Sequence, residues 1–273
     1  MFTQHLIGRT INLIFREFIF QKMEVHHPHH PTHKKAWKEY ITEFVMLFAA
    51  VTLGFFAENL RETQIEKHRE ISYLKNVHED LLLDFQSSDY VVRSNETRLK
   101  NLDTLFQKLN NQSITNEEIY YYVRNLALRA TFESSRIGFD QIKSAGGLRM
   151  VRNKTISSGI QQYERMLSSI DKLEDLRERT LEKGRFKMAE VMDAGILYEM
   201  SIHQMEEGIM RFQPPAKADD ITQKNKIALN ELLNLVSIGL NTNRYLNAKL
   251  IELKKIGESL DAAIIKEYGN EMH

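Results

Sequence analysis

Five histidines fall within eight residues near the start of the chain, His26, His27, His29, His30 and His33. A neutral imidazole ligates zinc, nickel or copper. A built metal centre also needs ligands in fixed geometry and partners that orient each ring. A run broken by Pro28 and Pro31 supplies neither, so weak, adventitious binding is expected and no cofactor is required. Together with Lys34, Lys35 and Lys38 the same histidines can instead sense pH or touch anionic headgroups, because histidine titrates near neutrality.

Two further patterns could do chemistry. In "EMSIHQMEE", Glu199, His203 and Glu206 have the spacing of one helix face, as in a bundle metal site. A di-iron centre needs paired Glu-x-x-His motifs on two helices, and no second motif appears; a solvated face is the simpler expectation. In "SAGGLRMVRN", Arg149, Arg152 and Lys154 follow two glycines and could attract an anion. The stretch lacks the Gly-Lys-Ser/Thr end of a phosphate loop, and Gly146 and Gly147 suit a turn between helices. No nucleophile elbow, zincin, kinase or dinucleotide motif is present. With no cysteine, thiol nucleophiles, thiolate metal sites and disulfides are excluded. Lys+Arg and Asp+Glu both number 37, so no net field draws nucleic acid. The expectation is a protein that is not an enzyme.

The elements that must carry these residues read as helices throughout. The 273 residues are 42% hydrophobic and contain only four prolines and twelve glycines, which leaves long unbroken segments. From Ile41 to Ala57 the chain reads "ITEFVMLFAAVTLGFFA", with Glu43 its single charge. Trp37 and Tyr40 suit the headgroup interface, and Leu60 extends the far end, so residues 37–60 are expected to cross a bilayer as one helix. A buried core helix of a soluble protein passes the same length test. A cleaved signal peptide fits less well, because Glu58 and Asn59 do not form a small-residue cleavage site. The lysines at 34, 35 and 38 place the N-terminus in the cytoplasm and residues 61–273 outside it. The expected location is the bacterial inner membrane.

Beyond the span, Ile71, Leu74, His78, Leu81, Phe85, Ser88, Val92, Asn95, Leu99, Leu102, Phe106 and Leu109 repeat at alternating three- and four-residue spacing. This is a coiled-coil type seam. The span should therefore continue as a stalk helix to about Leu109, roughly 75 Å long at 1.5 Å per residue. "NNQS" breaks it, and Thr115 with Glu118 forms a capping box for a new helix. Another long helix starts near Ile156 and is expected to run until Pro214 and Pro215. Asp219 or Asp220 is expected to cap the final helix, whose seam runs from Leu229 through Asn243 to Ile264. The predicted fold is all-α: a single transmembrane helix continuing into a long stalk and an elongated antiparallel helical bundle or coiled coil. The polar seam residues His78, Ser88, Asn95 and Asn243 either form a polar switch layer or fix the helix register; register fixing is the simpler reading. Exposed seam faces would let the chain form a homodimer or pack on another membrane protein.

The segment "HHPHHPTHKKAWKEYITEFVMLFAAVTLGFFAENLRE" carries Trp37, Lys38, Glu39, Tyr40, Glu43, Phe44, Met46, Leu47, Phe48, Gly54, Phe55, Ala57 and Glu58 in order. It resembles the N-terminal signature of an uncharacterised bacterial membrane-protein family, a domain of unknown function with a histidine-rich segment ahead of one transmembrane helix. "QIKSAGGLRMVRNKTI", Gln141 to Ile156, is also similar to that family. The resemblance implies topology and no chemistry. It also implies that Met23 is the natural start, with residues 1–22 an extension; an interfacial helix carrying Phe15, Phe18 and Phe20 is the alternative. Residues 23–36 then form a His/Lys-rich tail, 37–60 the span and 61–273 the bundle. The function expected is a membrane-anchored scaffold or sensor, the alternative being a metal-handling membrane protein that uses the histidine tail.

Overall fold

The computed structural model describes residues 37–126, 129–201, 205–206, 209–210, 212–221 and 225–272. His26, His27, His29, His30 and His33, the segment 1–22 and His203 lie outside the described residues. Among the described residues the protein is all-α apart from one antiparallel pair of two-residue strands, in which Met205 faces Met210 and Glu206 faces Ile209. The chain divides into two compact units, one ending at Arg61 and the other beginning at Glu62. One helix, α1 (Trp37–Asn110), contributes residues to both.

In the first unit the helix is continuous because no proline or breaker interrupts it, and Glu39 in its first turn complements the positive helix end. Every described residue of this unit is exposed, including Phe44, Leu47, Phe48, Leu53 and Phe55. None of the apolar run is buried among the described residues.

In the second unit, α1 from Glu62 onward is the first of four passes. The second pass is broken. It comprises α2 (Asn116–Leu126), an irregular stretch through residues 129–136, α3 (Ile137–Ser144) and a 3₁₀ turn at Gly147–Met150. The third is α4 (Lys154–Val191), followed by the short α5 (Ala194–Glu199) and the strands β1 (Met205–Glu206) and β2 (Ile209–Met210). The fourth is α6 (Lys226–Tyr268). Contacts fix the directions: Lys67 meets Glu271, His78 meets Asp261 and Asp103 meets Arg244, so α6 runs antiparallel to α1. Tyr163 meets Asp84 and Arg177 meets Asn95, so α4 runs parallel to α1. The order is up, down, up, down.

Local chemistry sets the breaks. Thr115 and Glu118 form the expected capping box, each side chain accepting the other's backbone N–H at 3.3 and 3.2 Å. Gly146 and Gly147 sit at φ +113° and +76°, a left-handed turn that a side chain would resist. Asn153 caps α4 through Thr155 and Ile156. The third pass does not run to Pro214 as expected: α4 stops at Val191, because Met192 is extended and Asp193 caps α5 through the N–H groups of Gly195 and Ile196. Nor does Asp219 or Asp220 start the last helix. The stretch on either side of the prolines is held by α2, whose Asn125 and Glu117 accept the N–H groups of Phe212 and Ala218, and α6 begins only after Asn225.

Two apolar clusters fill the unit. One joins Leu74, Leu81 and Val91 to Phe139, Ile160, Leu167, Leu253 and Leu260. The other joins Leu102 and Leu105 to Ile119, Val123, Met188, Leu232 and Val236. The buried face of α1 is wider than the seam read from spacing. Ile71, Leu74, Leu81, Ser88, Asn95 and Leu102 are buried as expected, and so are Val77, Asp80, Asp84, Val91 and Leu105, because α1 packs against three other passes rather than one.

Candidate functional site

Between and within the two apolar clusters lie buried polar groups, and these are where chemistry could reside. The first set is held by α1. Asp80 and Asp84 are one turn apart on one face and are 2% and 0% exposed. Their acceptors meet a chain whose own hydrogen bonds are broken. Ser135 donates its N–H to Asp84 Oδ1 at 2.7 Å, and Gly138 donates its N–H to Asp80 Oδ2 at 2.7 Å. The hydroxyls of Ser134 and Tyr163 both donate to Asp84 Oδ2 at 2.7 Å, and the Ser135 hydroxyl donates to Asp80 Oδ1 at 2.5 Å. α3 has no side-chain cap of its own, since Arg136 occupies that position. Asp80 on α1 caps it from a different pass through the Gly138 N–H, and Asp84 holds the backbone just ahead of it through Ser135.

Burial pushes the Asp84 carboxyl above its ordinary value, partly offset by the hydrogen bonds from Tyr163, Ser134 and Ser135. Burial and the adjoining Asp84 likewise push the Tyr163 phenol up. Every carboxylate oxygen of the pair is committed to a donor from this chain, so the set holds backbone in place.

The second set centres on Arg177 of α4, only 2% exposed. Its Nη1 donates to Asn243 Oδ1 at 3.1 Å and reaches Asn95 Oδ1 at 3.5 Å. Its Nη2 donates to the Ala130 carbonyl at 2.6 Å and to Glu174 Oε1 at 3.0 Å. Asn95 in turn donates to Asn247 at 2.9 Å, and Glu174 accepts the N–H of Phe132 at 3.2 Å. Arg129 pairs with Glu174 and Glu178. One guanidinium thus ties all four passes at the level that separates the two apolar clusters. Burial draws Arg177 below its ordinary value, while Glu174 opposes that shift. Its Nε is buried without a partner, as is the Ser88 hydroxyl.

Of the residues singled out by spacing, Asn95 and Asn243 join the Arg177 layer and His78 pairs with Asp261 at 2.5 Å. Glu199 and Glu206 do not share a helix face, and His203 lies outside the described residues. Glu199 ends α5 and Glu206 lies in β1, because the capped restart at Asp193 interrupts the helix that their spacing assumed. Arg152 is committed within the chain: its N–H goes to Glu70 at 2.7 Å, and its guanidinium lies 3.7 Å from Glu66 and donates to the Thr63 carbonyl. Among the described residues no group of three or more His, Cys, Asp or Glu is placed to hold a metal. Arg177 was missed because "LEDLRERTLEKGR" reads as a solvated charged face. Its signal was there: the spacing Ile156, Ile160, Tyr163, Leu167, Ile170 continues to Glu174 and Arg177.

No family model, curated protein or solved structure matches this chain.

Proposed function

We propose that this chain is a non-enzymatic, single-pass membrane protein whose helical bundle serves as a scaffold or a sensor. The observation that carries the reading is the run 37–60 of α1, apolar and wholly exposed. Twenty-four helical residues span roughly 36 Å, enough to cross a hydrocarbon core. A core helix of a soluble protein would be covered by its neighbours, and among the described residues this one is not. The absence of an open constellation of acid, base and nucleophile around Asp84 or Arg177 supports a non-catalytic role among the described residues. The lysines at 34, 35 and 38 favour a cytoplasmic N-terminus in a bacterial inner membrane, with the unit from Glu62 outside. Exposed Ile238, Tyr245 and Ile251 on α6 offer a second copy, or another membrane protein, a surface to pack on.

The test is fractionation with protease protection, using tags before Met23 and after His273. The protein is expected in the membrane fraction, with the C-terminal tag cut by protease added to intact spheroplasts. Recovery of the full chain in the supernatant after ultracentrifugation would overturn the reading, and a protected C-terminal tag would reverse the orientation.

A further inference from the structure

Next to the Arg177 layer, helices α1, α2, α4 and α6 leave a narrow groove, of which about 50 Å³ is wide enough for the centre of a water molecule. It is long and thin. Between Arg177 and Met188, both in its wall, α4 rises about 16 Å. One end is cationic, formed by Arg98 and Arg177; the remaining wall is mostly apolar, including Leu102, Val123, Leu232 and Val236.

Three features of this groove have no account in the packing of the bundle. Arg98 is half-buried, yet among the described residues no carboxylate lies within ion-pair distance of it. Burial, and then the nearby Arg177, draw its guanidinium down to about 10 against an opposing pull from Tyr90, so at neutral pH it remains a cation, and unlike Arg177 and Arg129 it has no carboxylate beside it among the described residues. The buried Nε of Arg177 has no acceptor. Gly184 of α4 and Gly239 of α6 both line the groove, and a Cβ at either would meet nothing within 4 Å. Glycine inside a helix destabilises it relative to alanine. Here no close helix contact requires it, and the two together keep the channel open.

We propose that this groove binds a slender amphiphile with a single carboxylate head, of the fatty-acid class, its head on Arg98 and Arg177 and its chain running past Gly184 and Gly239 towards Met188. The cationic end supplies the charge complement and the donors for a carboxylate. The narrow apolar channel admits one unbranched chain and excludes bulky or ring-bearing ligands. The site lies wholly within the unit from Glu62, so the proposal stands whether or not residues 37–60 cross a membrane. If the bundle is a sensor, this is the chemical class it senses.

The experiment is photoaffinity labelling of the full chain in amphipol with a diazirine-bearing dodecanoate, with labelled peptides mapped by mass spectrometry. Labelling is expected on the peptides around Gly184 and Gly239, competed by unlabelled dodecanoate and not by inorganic phosphate. It should fall at least tenfold in both Arg98→Gln and Gly239→Leu. In the ligand-free protein Arg98→Gln should also raise the melting temperature, because it removes a charge the fold leaves uncompensated; a purely structural arginine would do the opposite. The proposal is overturned by label confined to 37–60, by groove labelling that survives Arg98→Gln or Gly239→Leu, or by equal competition from phosphate, which would mean an ion site without a chain. A lower melting temperature in Arg98→Gln would also overturn it.

Discussion

Arg177 joins all four passes of the bundle: one guanidinium reaches Asn243 of α6, Asn95 of α1, Glu174 of its own helix and the Ala130 carbonyl of the broken pass. Truncating it to alanine leaves Glu174, a nearly buried carboxylate, with only the Phe132 N–H and the more distant Arg129, and leaves the Ala130 carbonyl short of its donor. The expected cost is ~3–5 kcal/mol, the range for breaking one side of a buried ion pair, read as a lower urea midpoint at unchanged slope. Asp84 gives a pH signature instead. Its folded value lies above its ordinary one because of burial, so the folded state holds that proton more tightly than the unfolded chain. The stabilisation is complete below the ordinary aspartate value and is lost as pH rises through the raised one. Wild type should therefore lose stability relative to Asp84→Asn as pH rises from acid towards neutral, in paired denaturation curves; parallel profiles would contradict the assignment. Neither residue was legible as buried. Charged side chains within charge-rich helices read as surface, and only extending the apolar spacing through them shows that they fall on the inward face.

At the scale of elements, seams and caps were readable because they depend on residues a few positions apart. The capping box at Thr115 and Glu118, the glycine turn at 146 and 147 and the end of α1 at Asn110 all follow from local chemistry. The irregular stretch through 129–136 does not. Its "RATFESSR" contains good helix formers, but the N–H groups of Ser135 and Phe132 are taken by Asp84 and Glu174, acids 51 and 42 positions away in the chain. Tertiary hydrogen bonds there outbid local propensity. The helix α3 that follows sits directly on α1, since a Cβ on Gly138 would collide with the backbone at Asn76 and Val77. Gly138→Ala is accordingly expected to cost at least the ~1–3 kcal/mol typical of overpacking, because backbone on both sides must move. Thermal denaturation followed by far-ultraviolet circular dichroism would measure it, and an unchanged melting temperature would show that α3 is free to lift away.

For the molecule as a whole, composition alone announced helices and an apolar run, and the described residues are helical but for one short strand pair, with that run wholly exposed. The order of passes was not accessible from spacing, because a seam states that a face is buried and not which partner covers it. The unit from Glu62 has its own two apolar clusters and its own polar layer. A chain trimmed to 62–273 is expected to stay soluble and to unfold in one cooperative step, with sedimentation and denaturant titration as the checks. Aggregation of this fragment would mean that the bundle needs the preceding residues for more than attachment.

An even number of passes returns the chain to where it entered. Lys67 meets Glu271 at 2.9 Å, and the Tyr268 hydroxyl donates to Glu70 at 2.9 Å, so the first and last turns of this unit are side by side. A load applied between its two ends would therefore act across α1 and α6 and not along them. It would open the bundle as a zipper opens, first at Lys67 and Glu70, then at the pairing of His78 with Asp261 and of Asp89 with Lys254. Bonds loaded one after another yield at far lower force than bonds loaded together. Tension on the C-terminus would peel α6 away long before it stretched the helices themselves.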